Sequence, residues 1–160
     1  MRVRIVRGKG ETMEKYDYIL HTDGGYSLEK NVGAFAFVIC NGEDEELTRG
    51  AWKIEKETNN RAELKAIIAG LYNIPQDNAN VLVLSDSQYA LYTCSGTWSR
   101  RKNTDLFEVH DRVVADKSLS VTYKWVKGHN GDKFNEICDR MCNDAAGMDL
   151  NAEFTKYKKK

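Results

Sequence analysis

Apolar and polar positions along this chain fall into runs whose period changes several times, and each change marks an element. Residues 16–22 read as a strand ending at Asp23, and Gly24-Gly25 then predicts a turn. Residues 33–40 (GAFAFVIC) form a second strand, and Asn41-Gly42-Glu43-Asp44 is a hairpin turn into a third at about 46–54. Three strands in meander favour antiparallel pairing. Leu64, Ile67, Ile68 and Leu71 then fall at i, i+3, i+4 and i+7, an amphipathic helix opening near Asn59 or Asn60. The unbroken apolar run at 81–84 has the character of a central strand buried on both faces. Short helices follow at about 87–94 and 106–115, the second carrying Leu106, Val109 and Val113. A strand at 119–126 and a helix at 133–146, with Ile137, Met141 and Ala145 inward, complete the order βββαβααβα. Helical crossovers after the third strand imply parallel neighbours, so the sheet is expected to be mixed and the class α/β.

Residues 1–15 show only Val3 and Ile5 alternating with arginines, a pattern open to a short strand, a basic arm or disorder. The expected division is therefore a basic N-terminal arm at 1–15, one domain at 16–150 and a basic tail at 151–160. A chain of 160 residues, 41% apolar, suffices for one domain with a sizeable core. No apolar run approaches a membrane span and no secretory signal is evident, so a cytoplasmic protein without membrane contact is expected.

Four cysteines, at 40, 94, 138 and 142, lack both CxxC pairs and a disulfide framework. Cys138 and Cys142 share a helix face, but half a zinc site weighs less than reduced core thiols. Basic and acidic residues balance at 24 each, so only their distribution bears on a polyanionic partner. Basic residues gather at the N-terminus, at Arg100-Arg101-Lys102 and at the C-terminus. Such patches suit a polyanion and equally suit solvated tails.

The chemistry lies in four short words. They are His21-Thr22-Asp23-Gly24-Gly25, Thr58-Asn59-Asn60-Arg61-Ala62-Glu63-Leu64, Ser85-Asp86-Ser87-Gln88-Tyr89, and Trp125-Val126-Lys127-Gly128-His129 running on to Asn135-Glu136-Ile137-Cys138-Asp139. Each holds one of four candidate acids, Asp23, Glu63, Asp86 and Asp139. Asp23 and Asp86 end or follow neighbouring strands, where ligands of α/β sheets bind, and Glu63 and Asp139 lie on helices able to lean over that edge. Clustered carboxylates need a cation, and an all-oxygen donor set favours magnesium or manganese over zinc.

In this order and company, the four words resemble the type 1 ribonuclease H family over roughly residues 16–147. The resemblance implies a five-stranded sheet with strand order 3-2-1-4-5. It also implies endonucleolytic hydrolysis of the RNA strand of RNA–DNA hybrids, giving 3′-hydroxyl and 5′-phosphate ends. Asp23, Glu63, Asp86 and Asp139 would hold two Mg2+ ions with substrate, Mn2+ being able to substitute. His129 would be an accessory catalytic residue assisting proton transfer or product departure. Gly24 and Gly25 would permit close approach to the minor groove, where 2′-hydroxyls are sensed. Asn59, Asn60 and Gln88 would contact nucleotides, although either asparagine would serve equally as a helix cap. Thr58 and Asn103 match a phosphate pocket for the DNA strand, with Arg61 either a further member or a structural arginine. His21 and His110 are expected to be packing or surface residues.

The chain departs from many bacterial members in lacking most of a basic helical protrusion, since only residues 94–101 fill its place. Arg100, Arg101 and Lys102 form the basic patch expected to compensate. A monomer is expected, and a non-catalytic hybrid-binding module or a domain working with a polymerase or reverse transcriptase partner is the alternative.

Overall fold

The structure, a computed structural model, describes residues 3–5, 14–127 and 132–147. Two short strands, β1 (Val3–Ile5) and β2 (Glu14–Tyr16), pair antiparallel as a separate ribbon. The main sheet begins with β3 (Tyr18–Ser27), β4 (Val32–Asn41) and β5 (Glu46–Ile54), an antiparallel meander. Helix α1 (Asn59–Tyr72) leads to β6 (Asn80–Ser85), which pairs parallel with β3. Helices α2 (Gln88–Cys94) and α3 (Thr104–Asp116) cross to β7 (Ser120–Trp125), parallel to β6, and α4 (Lys133–Ala146) follows. The order across the sheet is β5-β4-β3-β6-β7. For the five core strands this is the expected third-second-first-fourth-fifth.

Alternation along the strands divides the core into two layers. Leu20, Phe37, Ile39, Val81 and Val83 face α1–α3, where they meet Leu64, Ile67 and Leu71. Ile19, Ala34, Ala36, Val38 and Leu82 face α4. Each fully buried Leu, Ile or Val is worth about 1.5–3 kcal/mol, so register is strongly specified. Among the described residues no helix is long and apolar enough to cross a membrane.

Four expectations are corrected. Gly24 and Gly25 do not turn: they continue β3 opposite Phe35 and Ala34, and the chain reverses at residues 28–31. Glycine here serves packing, because a Cβ on Gly24 would lie 2.5 Å from the Ala62 carbonyl carbon of α1. Neither Asn59 nor Asn60 caps α1; Thr58 does, its hydroxyl accepting from the Arg61 amide. The innermost stripe of α4 is Phe134, Cys138, Cys142 and Ala146, with Ile137, Met141 and Ala145 partly buried beside it. Small thiols let α4 close on β3: Cys138 Sγ donates to the His21 carbonyl at 3.5 Å and Cys142 Sγ to that of Asp23 at 3.6 Å. Val109 lies open on α3, although Leu106 and Val113 are buried as the pattern suggests.

Candidate active site

Three elements meet at the middle of β3. Because Gly24 has no side chain, the first turns of α1 press against the strand. Asn59 Oδ1 accepts a 2.7 Å hydrogen bond from the Tyr26 amide, which fastens the helix start to the same strand. These two contacts set Glu63 beside Asp23, both side chains buried. Asp86 arrives from β6. The Ser87 amide donates to Ser85 Oγ at 3.0 Å, and Trp125 Nε1 donates to the Asp86 carbonyl at 3.1 Å, so the turn beyond β6 is held on both sides. One carboxylate oxygen from each of Asp23, Glu63 and Asp86 lies within 4.8 Å of the others.

Asp139, half-buried on α4, is not part of that group of three. It borders the same region nonetheless. Burial pushes the Cys142 thiol well up, and the neighbouring charges of Asp23, Glu63 and Asp139 push the same way. An all-carboxylate donor set fits a hard divalent cation, which takes oxygen ligands in place of nitrogen or sulfur. Asp23, Glu63 and Asp86 are the residues positioned to hold one.

Beside this centre a polar network joins α1 to the start of α3. Arg61 Nε donates to Glu57 at 2.9 Å, and its two terminal nitrogens reach Asp105 at 3.0 and 2.8 Å. Arg61 Nη1 also donates to Asn103 Oδ1 at 3.2 Å, and Asn103 Nδ2 donates to the Tyr89 hydroxyl at 3.0 Å. The guanidinium beside Asp105 holds that carboxyl down at about 2. Thr58 and Asn103, 45 positions apart in sequence by their numbers, are thus linked through one arginine. Asn103 adopts left-handed backbone angles (φ 60°, ψ 31°), and its side chain makes no capping bond to α3.

The remaining candidates divide. Asn60 is exposed beside Glu63's helix turn, and Gln88 is exposed at the start of α2. Gly25 lies buried in β3, one residue beyond Gly24. Arg100 is committed to structure: it donates to the Thr93 and Cys94 carbonyls and to Asp111, and lies over the Phe107 ring. Arg101 and Lys102 are exposed. His129 lies outside the described residues. His21 and His110 are buried and hydrogen-bonded, His21 to Asp44 and His110 to Asp111 and Tyr123. Sequence reasoning missed Tyr89 and the anchoring role of Asn59, since each depends on a partner far away in the chain.

The ribonuclease H family model matches residues 15–147, a span that includes every carboxylate of this centre. The chain belongs to the ribonuclease H family. It is 34% identical over 138 residues to ribonuclease HI of Synechocystis sp., covering 76% of this chain and 82% of that protein. It is 35% identical over 152 residues to ribonuclease H of Treponema pallidum, covering 79% of this chain and 89% of that one. Among solved structures it resembles LC11-RNase H1 in complex with an RNA/DNA hybrid, with a TM-score of 0.69 and 20% identity, covering 81% of this chain and 96% of that one. That last likeness concerns the fold. Membership carries the family's ribonuclease H activity and its dependence on a metal.

Proposed function

We propose that the chain cuts the RNA strand of RNA–DNA hybrids at the carboxylate centre, by hydrolysis with magnesium, leaving 3′-hydroxyl and 5′-phosphate ends. The observation that carries this reading is the convergence of Asp23, Glu63 and Asp86 from three separate elements to within 4.8 Å. Asp23, Glu63, Asp86 and Asp139 would hold the ions, with Asp23 and Asp86 on the side where the scissile phosphate would lie. When bound, a pair of divalent ions supplies activation of water and stabilisation of the leaving oxygen. The protein's own part is positioning. Buried Asp23 and Glu63 offer a preformed acceptor face, and half-buried Asp86 opens it toward solvent and substrate.

Gly24, Gly25, Asn60 and Gln88 are assigned to the minor groove of the hybrid, where ribose hydroxyls distinguish RNA. Asn59 is assigned there by its backbone, because its side-chain oxygen is occupied by the Tyr26 amide. Thr58 and Asn103, linked by Arg61, are assigned to a DNA phosphate, with Arg101 and Lys102 as added positive charge. His129 is assigned an accessory role in proton transfer or product release. Four buried, reduced thiols support a cytoplasmic setting.

Cleavage of a labelled RNA–DNA hybrid in magnesium, beside single-stranded RNA, duplex RNA and duplex DNA, tests the assignment. Cutting confined to the hybrid and lost in Asp86→Asn is expected. Binding without cutting in both magnesium and manganese would mean a non-catalytic module or a chain that needs a partner protein.

A further inference from the structure

A second cluster of ligating side chains lies on the α4 face of the sheet. It consists of His21 on β3, Cys40 near the end of β4 and Asp44 in the β4–β5 turn. Their ligand atoms all lie within 4.8 Å of one another, and His21 Nε2 is 3.1 Å from Asp44 Oδ1. The imidazole and thiol are buried, whereas Asp44 is exposed and opens the cluster to solvent.

Local structure holds these groups in place. The β4–β5 register shifts between Ile39 and Cys40, an irregularity of the kind that re-aims side chains. Asn41 Oδ1 accepts from the amides of Glu43 and Glu45 at 2.8 and 3.0 Å, closing the turn. Within that turn Asp44 adopts φ 62°, an uncommon value for a residue with a side chain. The His21 ring packs on Phe134, with centroids 4.7 Å apart.

The geometry points to a borderline-metal site, for Zn2+ or an ion of the same class, made by His21 Nε2, Cys40 Sγ and an Asp44 oxygen. This donor set of nitrogen, sulfur and oxygen differs in kind from the all-oxygen centre at Asp23, Glu63 and Asp86. Zinc lies about 2.3 Å from sulfur and about 2.0–2.2 Å from nitrogen or oxygen, so tetrahedral ligand pairs stand roughly 3.5 Å apart. The His21–Asp44 pair is already near that spacing. Three protein ligands leave the fourth position to water. Burial, and then Asp44, push the Cys40 thiol up to about 12, so binding releases its proton to solvent. Asp44 and Glu46 set negative charge near the thiol and Lys133 sets positive charge, while Glu46 is itself paired with Arg49. The inference does not depend on the nuclease reading.

Cobalt is a direct probe, because a Co2+–thiolate bond gives a near-ultraviolet charge-transfer band that carboxylate sites lack. The full, reduced chain, stripped of metal, would be titrated with Co2+ and then challenged with Zn2+. One equivalent is expected to produce the band, Zn2+ to abolish it, and Asp86→Asn to leave it intact. Cys40→Ser should remove it, and Asp44→Asn, at an exposed turn position, should weaken binding by about tenfold or more. No band at stoichiometric cobalt, or a band that survives Cys40→Ser or is unmoved by Asp44→Asn, would overturn the site.

Discussion

Asp23 and Glu63 show what a functional site demands of single residues. Two buried carboxylates and a third close by cost stability whenever no cation offsets them. Asp23→Asn keeps the shape and removes one charge. It is expected to abolish cleavage yet raise metal-free stability by about 1 kcal/mol, or about 2–4 °C in Tm. A lower Tm in EDTA would contradict this. Gly24 carries the opposite requirement. Gly24→Ala would place a methyl 2.5 Å from the Ala62 carbonyl carbon, and backbone on both sides leaves no flexible group to yield. Urea unfolding should register a loss of about 1–3 kcal/mol from overpacking. Because the helix that moves carries Glu63, turnover should fall about 100-fold. Wild-type stability and rate together would show that α1 does not need this close approach. The acids and glycines were plain in the sequence as words, but the reason for the glycine was misread. A glycine pair signals a turn locally, and only the helix lying across β3 reveals it as a contact surface.

At the scale of elements, the start of α1 and the start of α3 are joined by Arg61. Its forked contact with Asp105, together with Glu57 and Asn103, fixes two segments that no local pattern connects. The charge pair has a defined pH signature. Asp105 is held at about 2 in the fold against an ordinary 3.8, so the unfolded chain takes up its proton first as pH falls. The contribution is therefore complete above about pH 4 and is lost as pH drops through about 2. Tm measured against pH for the wild type and Asp105→Asn should differ at neutral pH and converge in that window. Solvent exposure of Asp105 keeps the difference small. Curves that stay parallel from neutral pH to about pH 2 would mean the pair does not act through its charge. Helix and strand identities were legible from periodicity, as at 64–71 and 81–84. The buried stripe of α4 was not, because Cys138 and Cys142 were weighed as thiols and their small size against Ala34 and Ala36 counts only once sheet and helix meet.

Across the molecule, the carboxylate centre and the exposed cations Arg101 and Lys102 would share the work of holding a polyanion. Arg100 is excluded from that count by its bonds to Thr93, Cys94 and Asp111. Arg101→Ala with Lys102→Ala should weaken hybrid binding with little dependence on sequence. If each cation neutralises one phosphate, the slope of log affinity against log salt should become shallower by about 2. An unchanged slope would place the grip elsewhere, at the basic termini or on a partner protein.

From β3 onward the sequence alone determined the order of elements, the mixed sheet and the four acidic words that tie the chain to its family. Those properties arise from local periodicity and from residue types in fixed company, which need no knowledge of distant neighbours. The tertiary structure decided which acids share a centre, placing Asp23, Glu63 and Asp86 together with Asp139 at its border. It also decided that Asn59 anchors a helix, that Arg100 is structural, and that His21, Cys40 and Asp44 converge. Each of these is a contact between segments remote in the chain, and such contacts are set by how strands register and how closely helices can approach them.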